Sequence, residues 1–232
     1  MHTSEVSVCA KLTAPEMAEL YIQAGYHTVV VTNHYSPTTV EAMGKDWSID
    51  RYLVGYRKMK EYAKGRLHVL LGAELRFLGG NNDYLLYGLT EKFLYEHPDL
   101  HKMSLNTFSP LARENGILLI QAHPFRKFMH VCDPTLLDGM EVYNVNNNAF
   151  SNHIALEWAR HYGLIGTSGS DLHSSKTHIG GGLLTDTPIR SENELLETLK
   201  NRSAWLMCNT AQETRSIHAS LAETERGESN AL

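Results

Sequence analysis

The sequence predicts an α/β fold built as one domain. Three observations predict it: six short runs apolar on both faces, capped amphipathic segments between them, and no linker, internal repeat or low-complexity stretch dividing the chain. Runs without a polar face belong to strands covered by helices on both sides. Their alternation with helical segments is the pattern of repeated strand–helix units, which a doubly wound open sheet and a closed barrel both satisfy.

The elements follow in order. Thr13-Ala14-Pro15-Glu16 opens the first helix as a capping box, Met17, Leu20, Tyr21 and Ala24 form its apolar stripe, and Gly25 ends it. Residues 26–32 make the first clear strand. A second helix shows its stripe at Tyr52, Leu53, Tyr56, Met59, Tyr62 and Ala63 and stops at Gly65. Strands at 68–73, 84–87, 117–122 and 140–143 come next. Ile154, Ala155, Trp158 and Ala159 mark a third helix ending at Gly163, residues 164–167 the last interior strand, and Ser191 with Glu194 a second capping box. Beyond Asn209 the chain is polar, so the domain is expected to span 1–208, with 209–232 a loosely attached tail.

At 232 residues, 42% hydrophobic and 20% charged, the chain has material for a sizeable core and no bias toward disorder. The balance of 21 basic against 26 acidic residues argues against general nucleic-acid binding through a basic surface. Cys9, Cys132 and Cys208 are odd in number and form no CxxC pair, which fits a reduced cytoplasmic chain. The start shows no basic-then-apolar leader, and the longest apolar runs, 67–71 and 117–120, fall far short of the roughly 20 residues that cross a bilayer. Thirteen histidines, of a residue type that is normally rare, are an excess that points to chemistry.

Imidazole and carboxylate groups recur just after the strands, at the carboxyl ends where α/β folds build their sites. Thr32-Asn33-His34, Gly72-Ala73-Glu74, Gln121-Ala122-His123-Pro124 and Gly169-Ser170-Asp171-Leu172-His173 each close one run. His34, Glu74, His123, Asp171 and His173 would converge on one rim, a mixed oxygen and nitrogen set without paired thiolates that suits zinc, manganese or iron(II). Asp171 and His173, two apart, point the same way in an extended segment. His68, His97, His101, His161 and His218 read as surface or hydrogen-bonded residues, and His153 as a helix-face residue. Arg126, three residues past His123, and Arg76, two past Glu74, could grip a phosphate by the guanidinium fork. No Ser-His-Asp order with a nucleophile elbow appears, and neither Gly79-Gly80 nor Gly180-Gly181-Gly182 leads into the Lys-Ser/Thr of a phosphate loop.

Taken with His2-Thr3-Ser4, these motifs in this order resemble the successive motifs of the PHP (polymerase and histidinol phosphatase) family over residues 1–208. The resemblance implies a distorted (β/α)7 barrel of one domain. Its rim would bind one to three divalent ions (Zn, Mn or Fe) and hydrolyse phosphate esters with a metal-activated water. It further implies that Glu74 bridges two ions, His123 completes one of them, Asp171 joins His2, and His34 with His173 holds a third position. The chain departs from the family's pattern in three places: His-x-His is cut to Met1-His2, Thr-Asp-His becomes Thr32-Asn33-His34, and residues 83–88 lack a further histidine. A barrel strand is expected before Thr3, and a start upstream of Met1 is the favoured account.

The leading expectation is therefore a metal-dependent phosphoesterase acting on a small phosphorylated molecule. An amidohydrolase-like amide or lactone hydrolase on the same barrel is the first alternative. A metal- or partner-binding barrel with little turnover is the second.

Overall fold

The computed structural model describes residues 1–175, 179–209, 216–221 and 225–226. All six apolar runs are strands. They contribute β1 (Thr28–Val31), β3 (His68–Arg76), β4 (Asp83–Tyr87), β5 (Leu118–Gln121), β6 (Gly139–Asn144) and β7 (Ile165–Gly169), and the two-residue β2 (His34–Tyr35) extends the edge beyond β1. They form one sheet in the order β1-β3-β4-β5-β6-β7, with β2 also paired to β3.

The β1–β3, β5–β6 and β6–β7 pairs are parallel, whereas β4 runs antiparallel to both neighbours. A fully parallel sheet, the reading that two-sided apolar runs invite, is thus corrected at β4. The reason is connection length: only residues 77–82 join β3 to β4, too few for the crossover that a parallel pair requires. Among the described residues β1 and β7 do not pair with each other. At the rim between them lies the start of the chain, where Met1 O accepts from Thr32 N at 3.1 Å and His2 N donates to Leu172 O at 3.1 Å.

Helices α1 (Ala14–Gln23), α2 (Pro37–Met43), α3 (Ile49–Tyr62), α4 (Glu91–Glu96), α5 (Leu105–Glu114), α6 (Ala149–Tyr162) and α7 (Glu192–Asn201) complete the main fold. The first capping box forms as read: Glu16 accepts from the Thr13 N–H at 2.8 Å and from its hydroxyl at 2.7 Å. At α7 the Ser191 hydroxyl accepts from Glu194 N, but the Glu194 carboxylate turns to the Arg190 N–H instead.

Apolar packing occurs on both faces of the sheet. Met17 and Tyr21 of α1 and Leu53 and Met59 of α3 bury against Val29, Leu71 and Leu75 on the outer face. On the inner face Leu70, Leu85, Leu118 and Ile120 meet Leu195 and Leu199 of α7, which plugs the end opposite the rim. Each such side chain contributes about 1.5–3 kcal/mol of transfer free energy. An interior cavity of about 480 Å³ remains, reaching from α7 up to His2, Glu74 and Asp171.

A second, antiparallel sheet of β8 (Gly181–Leu184), β9 (Trp205–Cys208), β10 (Ser216–His218) and β11 (Glu225–Arg226) carries the chain's end. β10 and β11 fall in the segment read as a loose tail, where residues 210–215, 222–224 and 227–232 lie outside the described residues. No described helix is long and apolar enough to cross a membrane.

Candidate metal centre

Glu74 sits at the centre of the rim because of strand periodicity. Side chains two apart share a sheet face, so Leu70, Gly72 and Glu74 of β3 all face inward. Beyond Leu70 in the inner core, this row ends in a carboxylate only 3% exposed. β2 sets His34 directly beside Glu74 in register. His2 arrives on the segment bound between Thr32 and Leu172. His123 and Asp171 follow β5 and β7 on left-handed backbone, with φ of 30° and 46°. Such values are uncommon outside glycine and, when the surroundings enforce them, cluster at functional sites.

The resulting distances are short. His2 Nε2 lies 3.2 Å from Glu74 Oε2 and 3.3 Å from Asp171 Oδ1. Glu74 Oε1 is 3.5 Å from both His34 Nδ1 and His123 Nε2, and His173 Nδ1 is 3.5 Å from Asp171 Oδ1. The His2 ring stacks between those of His34 and His173, at 4.2 Å from each. Three groups of donor atoms therefore overlap: His2, His34 and His173; His2, Glu74 and Asp171; and Glu74, Asp83 and His123. Glu74 belongs to two of them.

Electrostatics follow from burial and these neighbours. Burial opposes ionisation of Glu74, but the charges of His34 and His2 and the close His123 and His2 rings hold its carboxyl well below the usual carboxylate range. Asp171 is likewise held low against burial, chiefly by the close His2 imidazole. Burial and the neighbouring His2 charge push His34 down to about 3, whereas Glu74 lifts His123 to about 9 in spite of burial. Burial raises Asp83, aided by the charge of Glu74, and it also raises Glu141.

The donor set fits divalent metal ions. His2 is completely buried, and its Nε2 has no hydrogen-bond partner although two carboxylates face it. Buried polar atoms are nearly always satisfied, so a ring nitrogen in this position suits coordination to a cation. Mixed imidazole and carboxylate groups are the donors that zinc, manganese and iron accept.

All six residues read from the sequence as metal ligands, His2, His34, Glu74, His123, Asp171 and His173, come together in these groups. The two arginines stand beside them on carboxylates. Arg76 holds Asp83 through Nε at 2.7 Å and also through Nη2, and Arg126 holds Asp171 through Nη2 at 2.9 Å. Two acidic residues of the cluster were not read from the sequence. Asp83 stands at the amino end of β4, and a search of carboxyl ends overlooks it, because only an antiparallel strand brings its amino end to this rim. Glu141 lies inside the apolar run of β6, where a lone carboxylate among buried residues was the available signal.

Residues 149–204, which include Asp171 and His173, match a family model described as PHP-associated. No curated protein matches the chain. Among solved structures, the fold resembles a two-domain protein from Bacteroides vulgatus containing a predicted PHP-like metal-dependent phosphoesterase, with 14% identity, a TM-score of 0.67 and 90% of this chain covered. It also resembles a protein from Bifidobacterium adolescentis proposed to be a metal-dependent phosphoesterase, at 15% identity and a TM-score of 0.54, covering 86% of this chain and 94% of that one. A third resemblance is to endonuclease Q in complex with a 27-mer duplex carrying an abasic lesion, at 13% identity, a TM-score of 0.60 and 86% coverage of this chain. The chain spans 63% of the length of the Bacteroides protein and 55% of endonuclease Q. The PHP-associated match is confined to residues 149–204, and what the chain shares with these solved structures is the fold.

Proposed function

We propose that the chain is a metal-dependent phosphoesterase of the cytoplasm that hydrolyses a small phosphorylated molecule. In this reading the open sheet is the wall of a distorted seven-stranded barrel forming a single domain over residues 1–208. The observation that carries the reading is the sharing of Glu74 between two buried donor groups, one with His2 and Asp171 and the other with Asp83 and His123. A third group, His2 with His34 and His173, offers a further position.

Bound divalent ions (zinc, manganese or iron) supply an acidified water and offset charge on the phosphate oxygens. The protein's own residues do the rest. Glu74, kept ionised by its imidazole neighbours, would serve both donor groups to which it belongs. Asp171 and His123, on enforced backbone, do not need to reorganise when substrate arrives. Arg126 uses Nη2 and Nε on Asp171, Asn144 and Asn147, and among the described residues its Nη1 makes no hydrogen bond, leaving two N–H groups for a phosphate. Arg76 clamps Asp83 with Nε and Nη2, which ties it to the Glu74, Asp83 and His123 group.

Elemental analysis of protein never exposed to chelator tests the metal, and assays of p-nitrophenyl phosphate against amide and lactone panels test the chemistry. At least one equivalent of Zn, Mn and Fe together is expected, with phosphate ester turnover that Glu74→Gln abolishes along with most of the metal. Less than about a tenth of an equivalent would sink the metal reading. Bound metal with turnover of amides or lactones only would place the chain with amidohydrolase-like enzymes, and bound metal with no turnover would make it a binding barrel.

A further inference from the structure

Glu141 has no role in the reading above, yet it is one of the most constrained groups in the molecule. Its carboxylate is 3% exposed, and no lysine or arginine pairs with it among the described residues. A Cβ built on Gly169 of β7 would collide with Glu141 Oε1, so the carboxylate occupies space that position 169 leaves open by having no side chain. Among the described residues Glu141 accepts two hydrogen bonds, both at Oε2: one from the backbone N–H of His123 at 2.9 Å, the other from Asn144 Nδ2 at 2.9 Å.

These two bonds lead to the two strained residues of the rim. The first holds the peptide of His123, whose φ of 30° persists only where the surroundings over-determine it. A hydrogen bond to a charged acceptor is among the stronger ones, so this bond helps to hold that conformation. The second fixes Asn144, whose Oδ1 accepts from Arg126 Nη2 at 3.0 Å, and the same Nη2 donates to Asp171 Oδ2 at 2.9 Å. Asn144 Oδ1 also orients the Asn146 N–H, and Asn146 Nδ2 in turn donates to the Asp171 carbonyl at 2.8 Å. Asp171, with φ of 46°, is thus held from both its side chain and its backbone through Asn144.

We propose that Glu141 is a positioning residue that holds His123 and Asp171 in their left-handed conformations, and through them sets both donor groups that share Glu74. This rests on the metal reading for its consequence, though not for its geometry. His123 belongs to the group with Asp83, and Asp171 to the group with His2. Loss of one carboxylate that binds no ion should therefore weaken both positions together.

The test uses the full chain in two states. In metal-free protein, amide exchange at His123 is followed in wild type, Glu141→Ala and Glu141→Gln. In a separate titration, Mn(II) binding to the three proteins is measured. Glutamine keeps an acceptor oxygen for both donors and is expected to rescue, with exchange and affinity close to wild type. Alanine is expected to speed exchange at His123 about tenfold or more and to weaken Mn(II) binding about 10–100-fold, the usual consequence of removing an outer partner of a metal ligand. If Glu141→Ala fails to fold, Glu141→Asp, one methylene too short to reach the His123 N–H, takes its place with the same expectation. A well-folded Ala or Asp variant that protects His123 and binds Mn(II) as wild type does overturns the proposal. Wild-type protein that binds none of Mn(II), Zn(II) and Fe(II) overturns the metal reading instead, and exchange in the metal-free state then decides the role of Glu141 alone.

Discussion

Arg126 is the residue at which substrate binding and ligand placement meet. Its Nη2 and Nε are committed to Asp171, Asn144 and Asn147, which fixes the plane of the guanidinium and aims Nη1 without further ordering. Under the proposed activity, Arg126→Ala is expected to lower kcat/KM for a phosphate ester by about 2–4 kcal/mol of transition-state stabilisation. Arg126→Lys should recover little, because one ammonium cannot hold Asp171 and a phosphate together as a planar fork can. Unchanged steady-state kinetics in the alanine variant would remove Arg126 from the site. Arg76 should behave differently, since the carboxylate it clamps, Asp83, is itself a member of a donor group. Arg76→Ala is expected to reduce metal uptake by the Glu74, Asp83 and His123 group, with KM following only as metal is lost. A titration that finds full metal content in that variant, with KM alone raised, would make Arg76 a phosphate ligand after all.

At the scale of elements, α3 shows how packing can outweigh propensity. Gly55 lies inside this helix, where glycine costs about 0.5–1 kcal/mol relative to alanine. Helix propensity alone therefore makes Gly55→Ala stabilising. The structure says the reverse, since the added methyl would clash with Thr3 Oγ1 and press on Asn33 Nδ2. Thr3 cannot yield easily: it is fully buried, and its N–H donates to Asn33 Oδ1 at 2.7 Å. Overpacking of this kind costs about 1–3 kcal/mol, so Gly55→Ala is expected to lower the melting temperature and, by displacing Thr3, to disturb the adjacent His2. A melting temperature above wild type would show that the segment at Thr3 moves freely. The same contrast explains how much the sequence disclosed. Apolar runs and caps located six of the seven strands of the main sheet and the helices α1, α3, α6 and α7, because two-sided burial and helix ends leave local marks. The direction of β4 left no mark in its own residues, and with it went Asp83. The pairing of β8 with β9 also escaped, since Gly181 and Gly182 break the apolar pattern and their partners lie far along the chain.

For the molecule as a whole, the rim is a cluster of buried charge whose balance depends on pH and on metal. Burial alone would depress the His123 imidazole, but the hydrogen bond and charge of Glu74 raise it from 6.5 to about 9 in the metal-free protein. A histidine raised by folding stabilises the folded state fully below its unfolded pKa, and that stability is lost as pH rises through the folded value. The window here therefore runs from about pH 6.5 to 9. His2, raised by Glu74 and Asp171 against burial, acts in the same direction. The Met1 amine, lowered by burial, acts in the opposite one, so a substitution is needed to isolate His123. Metal binding reverses the dependence, because coordination requires neutral imidazole and affinity rises as the proton leaves. Thermal unfolding across this window, with chelator and with saturating Mn(II), is expected to show the metal-free melting temperature falling relative to that of His123→Gln. The metal-saturated protein should hold level or rise, so that the gap between the two forms widens with pH as ligand linkage requires. A metal-free wild type that runs parallel to His123→Gln from pH 6.5 to 9 would show that Glu74 and His123 share no proton-linked stability in the folded chain.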